Sequence, residues 1–119
     1  MARYSDIRSL AWEWASYLEE RGHGVALEAD DWSVLLSRNG QGIRYRWLLL
    51  CAKRPVRRLT AIEREGIERQ LRKARRAGER VYVVLRFERP EGRLLVMPAA
   101  RALEEARLKS TKGGIAWEW

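Results

Sequence analysis

The 119-residue sequence predicts a single α/β domain, and three observations support this prediction. Apolar residues recur at helical spacing near the start of the chain, which indicates an amphipathic helix. Short segments rich in branched and aromatic residues follow, which is typical of strands. A second helical segment divides these strands into two groups. The resulting order, α-β-β-β-α-β-β-α, predicts a central mixed sheet flanked by helices.

The first helix is predicted from Ser5 to Arg21. Ser5 or Asp6 can cap its start, and Gly22 stands where a left-handed residue would end it. The apolar face of this helix consists of Ile7, Leu10, Ala11, Trp14 and Leu18. Because these residues recur every three or four positions, they share one side of a helix that would pack on the sheet.

Three strands are predicted next, at Val25–Leu27, Trp32–Ser37 and Ile43–Lys53. The dipeptide Asn39-Gly40 between the second and third strands is a strong signal for a hairpin turn. The second and third strands are therefore expected to be antiparallel. The third strand is almost wholly apolar from Trp47 onward, which predicts that it is buried on both faces.

The second helix is predicted to begin at a capping box, Thr60 to Glu63, and to end at Ala77 before Gly78. The segments that follow favour two strands and a last helix. These are Val81–Phe87, Arg93–Met97 and Ala99–Lys109. Residues 1–109 are predicted to form the domain, and residues 110–119 a flexible C-terminal tail.

Composition limits the class of protein. Hydrophobic residues make up 46% of the chain and charged residues 34%, which fits a soluble globular protein rather than a disordered one. The longest apolar run is far too short to span a membrane, and the first residues lack the apolar segment of a signal peptide. One cysteine excludes an intrachain disulfide, so we expect a cytoplasmic protein.

The net charge of +8 favours an anionic partner, with nucleic acid as the first candidate. Basic residues cluster around the end of the third strand and along the second helix. The predicted nucleic-acid contacts are Arg44, Arg46, Arg54, Arg57, Arg58, Arg69, Arg72, Lys73 and Arg76. Such a surface would bind phosphates without reading sequence. The alternative is an arginine-rich, solvated surface that reflects genome composition, with Glu-to-Arg pairs along the helix.

Several residues point to a site at the end of the third strand. Alternation places Cys51 and Lys53 on one face of that strand. Gln70 stands among the small, core-facing residues of the second helix, where it either bonds a neighbouring backbone group or faces the site. Glu13, Asp30 and Asp31 are the nearby carboxylates, and oxygen ligands of this kind suit Mg²⁺. Each has a structural alternative: an ion pair for Glu13, and a turn before the second strand for Asp30 and Asp31.

This pattern resembles the PD-(D/E)XK nuclease superfamily, particularly small Holliday-junction-resolvase-like endonucleases, from about residue 10 to residue 97. The resemblance implies a restriction-endonuclease-like fold, with Glu13 and Asp31 as metal ligands. It also implies that Lys53 positions the attacking water and that Gln70 completes the site. The family's third motif is (D/E)-x-K, whereas this chain has Cys51-Ala52-Lys53 and so lacks one metal-binding acid.

Three functions remain open from the sequence. The leading one is a nucleic-acid-binding protein of nuclease-like fold, with DNA as the expected partner, whose catalysis is impaired or lost because a thiol is a poor ligand for Mg²⁺. The second is an active Mg²⁺-dependent endonuclease for branched or duplex DNA, with a ligand relocated to Asp30 or Glu28. The third is a structural or interaction subunit that forms a homodimer through Trp12, Trp117 and Trp119. Stacking on bases is the alternative role of these tryptophans.

Overall fold

The computed structural model describes residues 2–28, 31–53, 56–88, 93–105 and 107–109. Its helices and strands follow the predicted order, with two additional short strands. The elements are α1 Ala2–Glu20, β1 Gly24–Glu28, β2 Asp31–Arg38, β3 Arg44–Ala52, β4 Val56–Arg58, α2 Ala61–Ala77, β5 Arg80–Phe87, β6 Arg93–Pro98, α3 Ala99–Glu105 and β7 Arg107–Lys109. None of the described helices is long and apolar enough to cross a membrane.

The main sheet has five strands in the order β1-β2-β3-β5-β6. Strands β3 and β5 are parallel, and the other neighbouring pairs are antiparallel. Helix α2 lies in the connection between the two parallel strands, as a parallel crossover requires. This arrangement confirms the predicted α/β class with a mixed sheet.

The sheet separates two hydrophobic clusters, and β3 supplies residues to both. Trp47 and Leu49 pack with α1, on what we call the α1 face. Leu48 and Ala52 pack with α2, on what we call the α2 face. The strand is therefore covered on both sides, as its uninterrupted apolar run predicts.

Local signals in the sequence correspond to local structure. Thr60 and Glu63 form the predicted capping box at the start of α2. Gly78 ends the same helix in the left-handed conformation, with φ of 69°. In the hairpin, the Asn39 side chain accepts hydrogen bonds from two following backbone amides, and the positive φ falls at Gly42. Each signal acts within a few residues, which is why the sequence alone reveals it.

The last helix requires a correction. It was expected to continue to Lys109, but α3 ends at Glu105 and β7 follows. Strand β7 pairs antiparallel with β4 in a separate two-stranded sheet. A strand of three residues has too little periodicity to be recognised in a sequence, so neither β4 nor β7 was expected. Residues 110–119, predicted to form a tail, lie outside the described residues.

A buried polar group links the hairpin to the α1 face. Trp47 Nε1 donates to Ser37 Oγ at 2.8 Å, and His23 Nδ1 lies 3.0 Å from the same oxygen. The Ser37 hydroxyl can donate in turn to His23 only if Nδ1 of the imidazole carries no proton. Burial also lowers the pKa of His23 below its ordinary value of 6.5.

We expect the stability of the protein to fall as the pH drops below about 6.5, because unfolded His23 then binds a proton that the folded state resists. His23→Gln should flatten this dependence between about pH 7 and pH 5.5, above the range in which carboxylates titrate. The measurement is urea unfolding across that range. If the free energy of unfolding changed equally with pH in His23→Gln and in the unmodified protein, His23 would not be the cause of the pH dependence.

Candidate functional site

Glu13 lies on α1 and forms an ion pair with a residue 73 positions later in the chain. Arg86 Nη1 on β5 donates to Glu13 Oε1 at 3.0 Å and approaches Ser9 Oγ at 3.3 Å. The side chain of Arg86 is only 17% exposed, whereas that of Glu13 is 49% exposed. The carboxylate predicted to bind a metal is thus held by a largely buried guanidinium.

Cys51 lies on the same face of the sheet as this ion pair. Its half-buried side chain packs against the α1-face cluster. In the parallel pairing of β3 and β5, Cys51 is the register partner of Arg86. The structure therefore brings Glu13, Cys51 and Arg86 together. Arg86 was not predicted as a site residue, although a charged residue inside the apolar segment 81–87 was a usable signal.

Lys53 is exposed and directly follows β3. The adjoining backbone is tied to the end of β5, because the amide of Glu88 donates to the carbonyl of Ala52 at 2.7 Å. Asp31 begins β2, where its backbone pairs with Glu28 of β1. The side chain of Asp31, like Asp30, lies outside the described residues. The proximity of Asp31 to Lys53 stays a prediction.

Gln70 takes part in a different group, on the α2 face. Arg46 Nη1 donates to Gln70 Oε1 at 2.8 Å and to Glu28 Oε2 at 2.7 Å. Arg46 Nε donates to Glu79 Oε1 at 2.8 Å. Burial alone would lower the pKa of Arg46, but the hydrogen bonds and charges of Glu28 and Glu79 raise it above its ordinary value.

The Arg46 group changes two predictions. Arg46 is 5% exposed, so the expectation that it contacts nucleic acid is corrected: two carboxylates and an amide already hold its guanidinium. Gln70 and Glu13 were expected to converge, but they take part in hydrogen bonds on opposite faces of the sheet. Glu28, considered as a relocated metal ligand, is paired with Arg46.

The other predicted nucleic-acid contacts have different surroundings. Arg44 is exposed and donates to the carbonyl of Ala77 in the last turn of α2. Arg58 on β4 is also exposed, whereas Arg54 and the side chain of Arg57 lie outside the described residues. The predicted contacts on α2 are all exposed, and together they form what we call the α2 stripe. They are Arg69, Arg72, Lys73 and Arg76.

Comparison with known proteins gives a structural match but no sequence match. No family model matches the chain, and no curated protein does so either. Among solved structures, the chain is similar to Hjc of Archaeoglobus fulgidus, a Holliday junction resolvase from an archaeal hyperthermophile. The TM-score is 0.51 at 20% identity, over 74% of this chain and 68% of that one. The chain has a restriction-endonuclease-like fold.

The residues that the structure describes in this restriction-endonuclease-like fold do not suit a divalent metal. A hard cation such as Mg²⁺ needs several oxygen ligands. Glu13 is neutralised by Arg86, and Cys51 offers sulfur where the (D/E)-x-K motif, which the sequence resembles, has a carboxylate. Within the described ranges, no three His, Cys, Asp or Glu residues are grouped so that they could hold a metal ion.

The predicted homodimer surface is described in part. Trp12 on α1 is 65% exposed, whereas Trp14 of the same helix is fully buried against Trp47. Trp117 and Trp119 lie outside the described residues. Dimerisation through these tryptophans therefore stays a prediction.

Proposed function

We propose that this chain is a DNA-binding protein of nuclease-like fold that contacts the phosphate backbone without cleaving it. The observation that carries the proposal is the α2 stripe, which presents four exposed basic side chains on one helix. The net charge of +8 supports the same partner. The fold supports it as well, since the similar solved structure is described as a Holliday junction resolvase.

The distribution of charge along α2 makes the stripe strongly positive. The acidic residues of the helix, Glu63, Glu65 and Glu68, all precede Arg69. From Arg69 to the end of the helix the charged residues are all basic, and each is exposed. Lys73 lies 3.9 Å from Glu28, a long contact for a side chain that is 54% exposed. Such a pair adds little and leaves most of the stripe's charge available to phosphates.

A surface of this kind is expected to bind without sequence preference. Arginine and lysine contacts to phosphate fix the position of a protein on DNA but carry no sequence information. Each phosphate contact releases counterions, so the affinity should fall steeply as the salt concentration rises.

We expect the triple variant Arg69→Ala, Arg72→Ala and Arg76→Ala to bind DNA more weakly and with a smaller salt dependence. The slope of log affinity against log salt should decrease by about 2 to 3, if each arginine contacts one phosphate. The measurement is fluorescence anisotropy with labelled duplex and four-way junction DNA over a range of salt concentrations.

The matched control removes the same charge from other elements. Its changes are Arg8→Ala, Arg38→Ala and Arg101→Ala, at exposed positions of α1, β2 and α3. Net charge then falls by three in both variants, and only the α2 variant should show the decrease of about 2 to 3 in the salt slope. Equal losses would mean that overall charge, not the stripe, drives binding. Absence of binding by the unmodified protein would overturn the proposal.

The second candidate, an active Mg²⁺-dependent endonuclease, is supported by the fold alone. The Glu13–Arg86 ion pair and the thiol at Cys51 count against it. The test is cleavage of a four-way junction in Mg²⁺ by the unmodified protein, by Asp31→Ala and by the control Ser33→Ala. Cleavage that is lost only in Asp31→Ala would favour the endonuclease. It would contradict the part of the proposal that excludes cleavage.

A further inference from the structure

We propose that the guanidinium of Arg86 takes the place of a divalent cation in this chain. In this interpretation Arg86 is a fixed, internal cation that neutralises Glu13 and keeps metal ions out of the site. One consequence of this role of Arg86 is that DNA binding needs no metal, and only that consequence rests on the proposed function.

The first argument is the position of Arg86. Neighbouring strands lie about 4.8 Å apart, and register partners in a parallel pair carry their side chains on the same face. Cys51, at the position of the missing acid, is the register partner of Arg86. Glu13 meets the same guanidinium from α1 at 3.0 Å. Arg86 is therefore a direct neighbour of two positions, 13 and 51, at which the family resemblance implies metal ligands.

The second argument is the charge balance. Arg86 is mostly buried, and its positive charge is compensated by Glu13. A divalent cation arriving at Glu13 would have to displace the guanidinium and would be repelled by it at short range. The thiol of Cys51 offers no negative oxygen that could offset this repulsion. The absence of an acid at position 51 and the presence of Arg86 thus both disfavour the binding of a divalent metal.

This interpretation has a specific consequence for restoring the family motif. In Cys51→Glu, the new carboxylate is expected to pair with Arg86 on the adjacent strand rather than bind a metal. Metal binding should require a second change that removes the positive charge. Arg86→Gln does so while keeping a hydrogen-bonding side chain near Ser9 and Glu13, and Arg86→Lys is the matched control because it retains the charge.

The experiment measures Mn²⁺ binding by isothermal titration calorimetry and electron paramagnetic resonance, with circular dichroism to check folding. The unmodified protein and Cys51→Glu should show no specific site. The double variant Cys51→Glu/Arg86→Gln should bind one Mn²⁺ at least about tenfold more tightly than Cys51→Glu. The double variant with Arg86→Lys should behave like Cys51→Glu.

Two results would overturn the inference. One is a single Mn²⁺ site in the unmodified protein that is lost on Glu13→Gln. The other is a folded Cys51→Glu/Arg86→Gln variant that binds Mn²⁺ no more tightly than Cys51→Glu. If glutamate at position 51 prevents folding, the deciding measurement is the Mn²⁺ affinity of the single variant Arg86→Gln. An affinity higher than that of the unmodified protein supports the inference, and an equal affinity overturns it.

The consequence for DNA is measured separately. The unmodified protein should bind four-way junction DNA equally well in EDTA and in Mg²⁺ at matched ionic strength. A complete lack of DNA binding would defeat the proposed function and leave the Mn²⁺ results unaffected. Binding that requires Mg²⁺ would count against the internal cation.

Discussion

Arg46→Ala is expected to lower the free energy of unfolding by about 3 to 5 kcal/mol, because it removes the central cation of a buried ionic group. Glu79, at 10% side-chain exposure, and Glu28, at 23%, would each lose the guanidinium that compensates their charge. Gln70 would lose its donor as well. The melting temperature should drop by roughly 10 °C or more.

Urea unfolding followed by circular dichroism measures this effect, and Arg44→Ala is the control on the same strand. Arg44 is exposed and donates to one backbone carbonyl, that of Ala77. Its loss should cost about 1 kcal/mol or less. If Arg46→Ala cost no more than Arg44→Ala, the carboxylates would be well solvated without Arg46, and the buried group would not be a source of stability.

Trp47→Ala should also cost about 3 to 5 kcal/mol, through loss of buried surface and the cavity that remains. Trp47 is fully buried. Its ring stacks on Tyr45 and Tyr82 at centroid distances of 5.3 Å and meets Trp14 edge-on at 5.3 Å. The substitution also removes the indole donor to Ser37.

Trp12→Ala provides the matched control, because it removes the same side chain from a position that is 65% exposed. Its effect on the free energy of unfolding should stay within about 0.5 kcal/mol. Both variants are measured by thermal and urea unfolding. A similar, small effect of the two substitutions would show that the aromatic cluster of the α1 face repacks around the cavity.

The elements that the sequence predicted well are those specified by local chemistry. The capping box at Thr60, the left-handed Gly78 and the apolar run of β3 each act over a few residues. The mixed sheet also followed from element order, because a helix between two strands is the usual parallel crossover. Strands β4 and β7 were missed because each contributes three residues and depends on a partner about 50 positions away.

The candidate site was predictable only in part, for a different reason. Strand alternation correctly indicated that Cys51 shares a face with Trp47 and Leu49. It also placed Arg46 on the same face as Leu48, so burial of that arginine could have been foreseen. The pairing of Glu13 with Arg86 joins residues 73 positions apart and depends on how α1 packs on the sheet. No periodic pattern in one sequence contains that information.

The position of β5 in the sheet has a consequence for the order of folding. Arg80–Phe87 pairs with β3 on one side and β6 on the other, yet it follows β3 only after the whole of α2. Until that segment is available, one edge of the largely apolar β3 has no hydrogen-bonding partner, which makes the early chain prone to pair with other copies. Because the central pairing closes a long loop, we expect a slow folding reaction limited by docking of β5.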